Sequence, residues 1–290
     1  MPSRWARFLT TPVPTVEARR EALGDLVARR FAPELAERVA SAFKPPAWVQ
    51  GGVFLEDAVF LADLIAALSP ARIVEIGTCS GVSTALMLRA RRWLGLPDAA
   101  RSDAGPETGS SSPAIVSFDV TDWLYFDPTR LVGSAIASLA SGADAGIELR
   151  RGTALDAGRE LAPGSVELAL IDADHRHPHP CADLAMLAPA LAPGAWVAIH
   201  DVNLSSVCDA WERTFGEEFP FRQVGPRTLL EHWRGESRVS AGVHRNIAAL
   251  RWPEGGLREA GPWIREAWRA CAFEHEPDEA ELGAIARLPG

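Results

Sequence analysis

The chain has 290 residues, 47% hydrophobic and 23% charged, with a formal net charge of −9. That balance is ordinary for a globular protein with a sizeable core, and the acidic excess argues against the phosphate-neutralising surface that nucleic acids demand. No run approaches the roughly 18 apolar residues of a membrane-spanning helix, and Pro12, Pro14 and several charges break any leader-like pattern at the N-terminus.

A single lysine, Lys44, stands beside 28 arginines, a compositional bias with no chemistry of its own. The four cysteines, Cys79, Cys181, Cys208 and Cys271, are scattered and form no C-x-x-C pair. This argues against a zinc ribbon or a disulfide framework and for a reducing, cytoplasmic setting.

In chain order, apolar spacing predicts helices over Val16 to Arg30 and Pro33 to Phe43. The breaker cluster Lys44 to Gly52 follows, then an apolar helix over Leu55 to Leu68. From Arg72 an alternation sets in. Strands are expected at Arg72 to Ile76, Ala114 to Phe118, Ile147 to Arg151, Val166 to Ile171 and Trp196 to His200. Helices are expected at Ser83 to Leu94, from the cap pair Asp127-Pro128 to about Ser141, and at Pro180 to Leu191. Gly95 to Pro113, rich in Gly, Ser, Pro and Asp, reads as a mobile surface loop.

Strands separated by helices indicate an α/β, mainly parallel, doubly wound sheet. Such sheets bind ligands beyond the carboxyl ends of their strands, so the residues there are the ones to read. Each of the five ends carries glycine or a carboxylate: Gly77 to Gly81, Asp119, Gly152 to Asp156, Asp172 to His175, and Asp201 to Asn203. The first turn, Glu75-Ile76-Gly77-Thr78-Cys79-Ser80-Gly81-Val82-Ser83-Thr84, departs from G-x-G-x-x-G because position 79 is Cys. A nicotinamide dinucleotide is therefore disfavoured, and the two glycines are expected to let the backbone pass close to a ligand.

This turn closely resembles the first motif of class I S-adenosylmethionine (SAM)-dependent methyltransferases. Leu170-Ile171-Asp172-Ala173-Asp174-His175 and Ala198-Ile199-His200-Asp201-Val202-Asn203 resemble the fourth and fifth strand ends of the small-molecule O-methyltransferase branch, notably the bacterial group related to sugar O-methyltransferases and the cephalosporin-pathway methyltransferase. The resemblance spans about Trp48 to Trp252. It implies a Rossmann-like seven-stranded sheet in the order 3-2-1-4-5-7-6, with Ile247 to Leu250 as the late antiparallel strand. Residues 1–45 would form a helical lid or dimer contact, 46–255 the SAM-binding domain and 256–290 a helical extension.

The resemblance also implies roles. SAM would be bound by Glu75, Gly77, Thr78, Cys79, Ser80, Gly81, Ser83, Asp119, Val120, Thr153, Ala154 and Asp172. Asp119 would accept from the two ribose hydroxyls, and Val120 and Trp123 would offer an adenine slot. Trp48 is the other tryptophan placed to cover a ligand. His175 stands where some relatives carry lysine, and it is the favoured proton acceptor; His200 competes with it, and Asp172 completes the catalytic set.

Relatives often hold a divalent cation such as Mg²⁺, here with Asp172, His200 and Asp201 as its ligands. His200 replaces the usual acid, so two readings stand: a metal site, or Asp201 as a buried hydrogen-bond partner. His177 and His179 read as solvated residues, and Cys79 as a small residue rather than a reactive thiol.

The expected reaction is methyl transfer to a hydroxyl of a small molecule, such as a natural product or sugar, by an enzyme for which a homodimer is one option and which binds neither nucleic acid nor membrane. N- or S-methylation, a cyclase, or a SAM-binding module without catalysis are the alternatives, since fold alone does not set the reaction.

Overall fold

Side chains of the central strands alternate between two apolar layers, as the period of two of a pleated strand requires. The computed structural model describes residues 4–99, 112–140, 145–219 and 222–289. Nine strands are seen among them: β1 (Ile73–Ile76), β2 (Ile115–Asp119), β3 (Trp123–Leu124), β4 (Asp127–Leu131), β5 (Ile147–Arg151), β6 (Val166–Ile171), β7 (Leu191–His200), β8 (Ser237–Val239) and β9 (Ile247–Arg251). Seven form one sheet in the order β5-β2-β1-β6-β7-β9-β8, the order expected from the sequence. Pairings from β5 through β7 are parallel, and β9 is antiparallel to both β7 and β8.

Helices cover both faces. They are α1 (Arg4–Phe8), α2 (Val16–Leu23), α3 (Leu35–Ala42), α4 (Leu55–Leu68), α5 (Val82–Trp93), α6 (Ile136–Leu139), α7 (Ala154–Glu160), α8 (His179–Leu187), α9 (Leu204–Phe215), α10 (Gly225–His232), α11 (Leu257–Trp268) and α12 (Glu279–Ala286). On one face, α3 to α6 and α9 pack on Ile73, Ile115, Leu168, Leu170 and Trp196. On the other, α7, α8 and α10 to α12 pack on Val74, Phe118, Ala169, Ile171 and Val197.

The N-terminal helices share the first of these cores: Leu23, Leu35 and Val39 lie in it with α4. Buried Arg19 of α2 clasps Asp63 of α4 with Nε 2.8 Å from Oδ2. Removing one member would strand an unpaired buried charge.

Three expectations fail. The helix from Val16 stops at Leu23, where Gly24 takes φ 58° and the chain tightens into a 3₁₀ turn over Gly24–Ala28. Asp127-Pro128 opens a strand rather than a helix. Asp127 Oδ1 accepts from the Thr129 backbone N–H and hydroxyl, a local turn bond that competes with helix formation, and β4 pairs back on β3. The helix there shrinks to α6, and Ser141 lies outside the described residues, as do 100–111 of the expected loop. His177, read as solvated, is fully buried, with Nε2 3.2 Å from the Trp268 carbonyl. No helix among the described residues is long and apolar enough to cross a membrane.

Candidate active site

The order of the sheet reverses between β1 and β6, so a crevice opens at their carboxyl ends. The two strand ends touch. Gly77 sits at φ 96°, and a Cβ there would fall 2.3 Å from the Asp172 carbonyl oxygen. At Gly81, φ 83°, a Cβ would meet Ile136 Cγ1 at 2.6 Å. Both glycines are thus demanded by close approach within the protein itself, whatever a ligand also asks of the turn.

Beneath this turn Glu75 is fully buried. Its carboxylate accepts from Ser83 Oγ, Thr84 Oγ1 and Ser117 Oγ, each at 2.5 Å. Burial pushes its pKa up to about 7, against the pull of those three donors. Ser83 is thereby committed to the core, and so is Thr78, whose Oγ1 lies 2.6 Å from Ser117 Oγ. Ser80 is buried as well. The side chains of these residues are buried and shape the turn from below.

Cys79 is half-buried in the left-handed region at φ 46°, and burial raises its thiol to about 12, so it carries no thiolate. Its backbone N–H donates to Asp119 Oδ2 at 2.9 Å, while Oδ1 accepts from the Thr121 N–H at 3.1 Å. A carboxylate has about four acceptor sites, so Asp119 keeps capacity for further donors.

The other expected cofactor contacts are uneven. Val120 and Trp123 are exposed. Thr153 caps α7, its Oγ1 accepting from the Leu155 N–H at 3.2 Å. Ala154 is fully buried within α7, where its methyl can meet no ligand. Trp48 stacks under the Arg130 guanidinium at 4.5 Å rather than lining the crevice.

A cavity of about 630 Å³ continues the crevice from Cys79 and Asp172. Trp5 and Leu9 of the N-terminal segment, Phe54, Leu204, Val207 and Phe219 give it apolar walls, and Tyr125 stands at its mouth. At its floor four titratable side chains converge. His175 Nε2 is 3.5 Å from Asp172 Oδ1 and 3.4 Å from Asp201 Oδ2. His200 Nδ1 is 2.9 Å from Asp172 Oδ1 and 3.4 Å from Asp201 Oδ1.

His200 is buried, and its Nε2 donates to Asp57 Oδ2 of α4 at 3.2 Å, while Nδ1 has no well-directed hydrogen bond. Burial alone would lower the pKa of His200, yet Asp172 and Asp201 hold it well above its ordinary value. Asp201, left-handed at φ 60°, accepts from Asn246 Nδ2 at 2.5 Å; the two histidines hold its carboxyl below the usual range despite burial.

The sequence-derived residues Asp172, His175, His200 and Asp201 are thus brought together. Asp57 and Asn246 escaped sequence reasoning. The available signal was the pair Glu56-Asp57 in an otherwise apolar helix, since charges in such a run are rarely buried without a partner. A buried ring nitrogen with no hydrogen bond, facing two carboxylates and a second imidazole, is a donor set that fits a divalent cation; Asp172, His175 and His200 present ligand atoms within 4.8 Å of one another.

Residues 74–202 match a protein family described as a methyltransferase domain. No curated protein matches the chain. Among solved structures, a putative O-methyltransferase from Klebsiella pneumoniae is 21% identical, with 83% of this chain and 91% of that one covered and a TM-score of 0.45. TomG, an O-methyltransferase from Streptomyces achromogenes involved in tomaymycin synthesis and solved with SAM, is 21% identical over 77% and 91% at a TM-score of 0.42. An O-methyltransferase from Bacillus cereus solved with S-adenosylhomocysteine is 19% identical over 82% and 92% at 0.44. The match over residues 74–202 is to a methyltransferase domain, and the strand order and crevice agree with it.

Proposed function

We propose that this chain transfers the methyl group of SAM to a hydroxyl of a small, partly apolar acceptor. The observation that carries the reading is the cavity itself: apolar walls lead from Cys79 to a floor of two imidazoles and two carboxylates. SAM supplies an activated methyl on a sulfonium. The chain's task is to align acceptor and donor and to remove a proton.

The turn Gly77 to Gly81 would hold the methionine end, and Asp119 the ribose. The acids Asp119, Asp172 and Asp201 suit a cationic ligand. Calorimetry with SAM tests this. Asp119→Ala is expected to weaken SAM binding about 10- to 100-fold, the worth of charge-assisted hydrogen bonds. Unchanged affinity would overturn the ribose assignment.

His175 is assigned as proton acceptor. Both imidazoles line the cavity, but His175 is the more exposed of the two, whereas His200 is buried with Asp57 on its far side. A divalent cation, held by Asp172, His200 and Asp201, would supply Lewis acidity that makes an acceptor hydroxyl easier to deprotonate. An imidazole among these ligands favours a transition metal over Mg²⁺. Chelator treatment and Asp201→Ala should then each depress methyl transfer at least tenfold; activity indifferent to both would dismiss the metal.

The diagnostic products are methylated acceptor and S-adenosylhomocysteine. Methylthioadenosine in their place would assign a cyclase-type reaction instead.

A further inference from the structure

A second group of metal-ligating side chains lies away from the crevice, where α12 docks on α8. His179 opens α8, and its Nδ1 lies 2.7 Å from Glu281 Oε1 of α12. His275, in the coil before α12, places Nε2 3.2 Å from Glu281 Oε2. The ligand atoms of these three residues all lie within 4.8 Å of one another. Glu281 is almost fully buried, and the two imidazoles are partly exposed.

A fourth residue bears on this group. Asp183, one turn along α8, is 2% exposed, and its Oδ2 has no hydrogen-bond partner. That oxygen sits 3.5 Å from His179 Nε2, on the side of the ring away from Glu281. The Asp183 oxygen thus has no closer partner than the His179 ring nitrogen that Glu281 leaves free. A metal-bound histidine characteristically turns its second ring N–H toward just such a carboxylate, which fixes its orientation.

We infer that His179 Nδ1, His275 Nε2 and the Glu281 carboxylate form a site for a divalent transition metal, Zn²⁺ by preference, with Asp183 orienting His179 from behind. Two imidazoles and one carboxylate are borderline donors that suit zinc rather than Mg²⁺ or Ca²⁺. The charges also balance, since one divalent cation offsets Asp183 and Glu281 with both histidines neutral. In a tetrahedral zinc set the donor atoms stand about 3.3 Å apart, so the 2.7 Å contact opens by a fraction of an ångström while the 3.2 Å contact is already close. The partial exposure of the imidazoles leaves the fourth position to water. Such a metal clips α12 onto α8, the helix that leads directly out of the catalytic loop Asp172 to His175.

The test compares the intact chain with His275→Asn, since His275 belongs to no helix, whereas Glu281 also accepts the Asp278 N–H that caps α12. After equilibration with Zn²⁺ and gel filtration, the unaltered chain should retain one more zinc per chain than His275→Asn, whatever the crevice itself binds. Zn²⁺ should also raise the Tm of the unaltered chain more than that of the variant. Equal zinc content in two folded proteins would overturn the site. Should His275→Asn not fold, crystals of the unaltered chain grown with stoichiometric Zn²⁺ decide the matter. An anomalous peak within bonding distance of His179 and Glu281 supports the site, and no peak there overturns it.

Discussion

His175→Gln is expected to lower kcat about 10²- to 10⁴-fold, the usual worth of a positioned general base, while SAM affinity stays within a few-fold. Glutamine keeps the volume and a hydrogen-bonding head but cannot take a proton at neutral pH. The pH dependence that an ionising base imposes on the rate should flatten with it. His175 touches Asp172 and Asp201 across 3.4 to 3.5 Å gaps and borders the cavity, so its loss should act on turnover and not on folding. The measurement is steady-state kinetics from pH 5 to 9 alongside SAM calorimetry. A variant with unchanged kcat and an unchanged profile would remove His175 from the proton path. A fall in SAM affinity as large as the fall in kcat would make it a binding residue instead.

The second large effect belongs to Gly77→Ala. The new methyl would lie 2.3 Å from the Asp172 carbonyl oxygen and 2.8 Å from Ala173 Cα, both backbone atoms that cannot rotate away. Overpacking and a left-handed residue together should cost about 3–5 kcal/mol, a fall in Tm of about 10 °C for a domain of this size. Whatever fold survives would have its β6 end displaced, and with it Asp172, so activity should fall further than stability explains. Gly52→Ala is the control: it shares a positive φ, 102°, but has nothing within 4 Å of its would-be Cβ. Similar losses in both variants would mean that conformation, not the contact with Asp172, governs position 77.

The strand ends were legible because their chemistry is local. A glycine turn, a carboxylate and a histidine each sit directly after a β-branched run, and the topology does the rest by lining up those ends. The sheet order followed from the family resemblance and agrees with the structure strand for strand. What escaped reading depends on contacts between distant segments. Asp127-Pro128 carries the local marks of a helix start, and only the pairing of Trp123 with Leu131 reveals a strand. Ala154 follows a promising Gly-Thr pair but points into the core as the first residue of α7. The run from His175 to His179 looked like one exposed stretch, yet its histidines go three ways: His175 to the cavity, His177 into the core and His179 to α12. No sequence period encodes such a division.

The first turn of α4 does two jobs with neighbouring acids. Asp57 receives His200 Nε2 and also accepts the Phe54 N–H that begins the helix, at 3.1 Å. Glu56 accepts the backbone N–H groups of Val243, His244 and Arg245, and the next residue, Asn246, grips Asp201. Both sides of the cavity floor therefore hang from one helical turn that does not itself line the cavity. For anyone reshaping acceptor preference this sorts the protein into a part to vary and a part to keep. Leu9, Val207 and Phe219 wall the cavity and can be exchanged for other sizes, whereas changes at Glu56 or Asp57 would unsettle every acceptor alike.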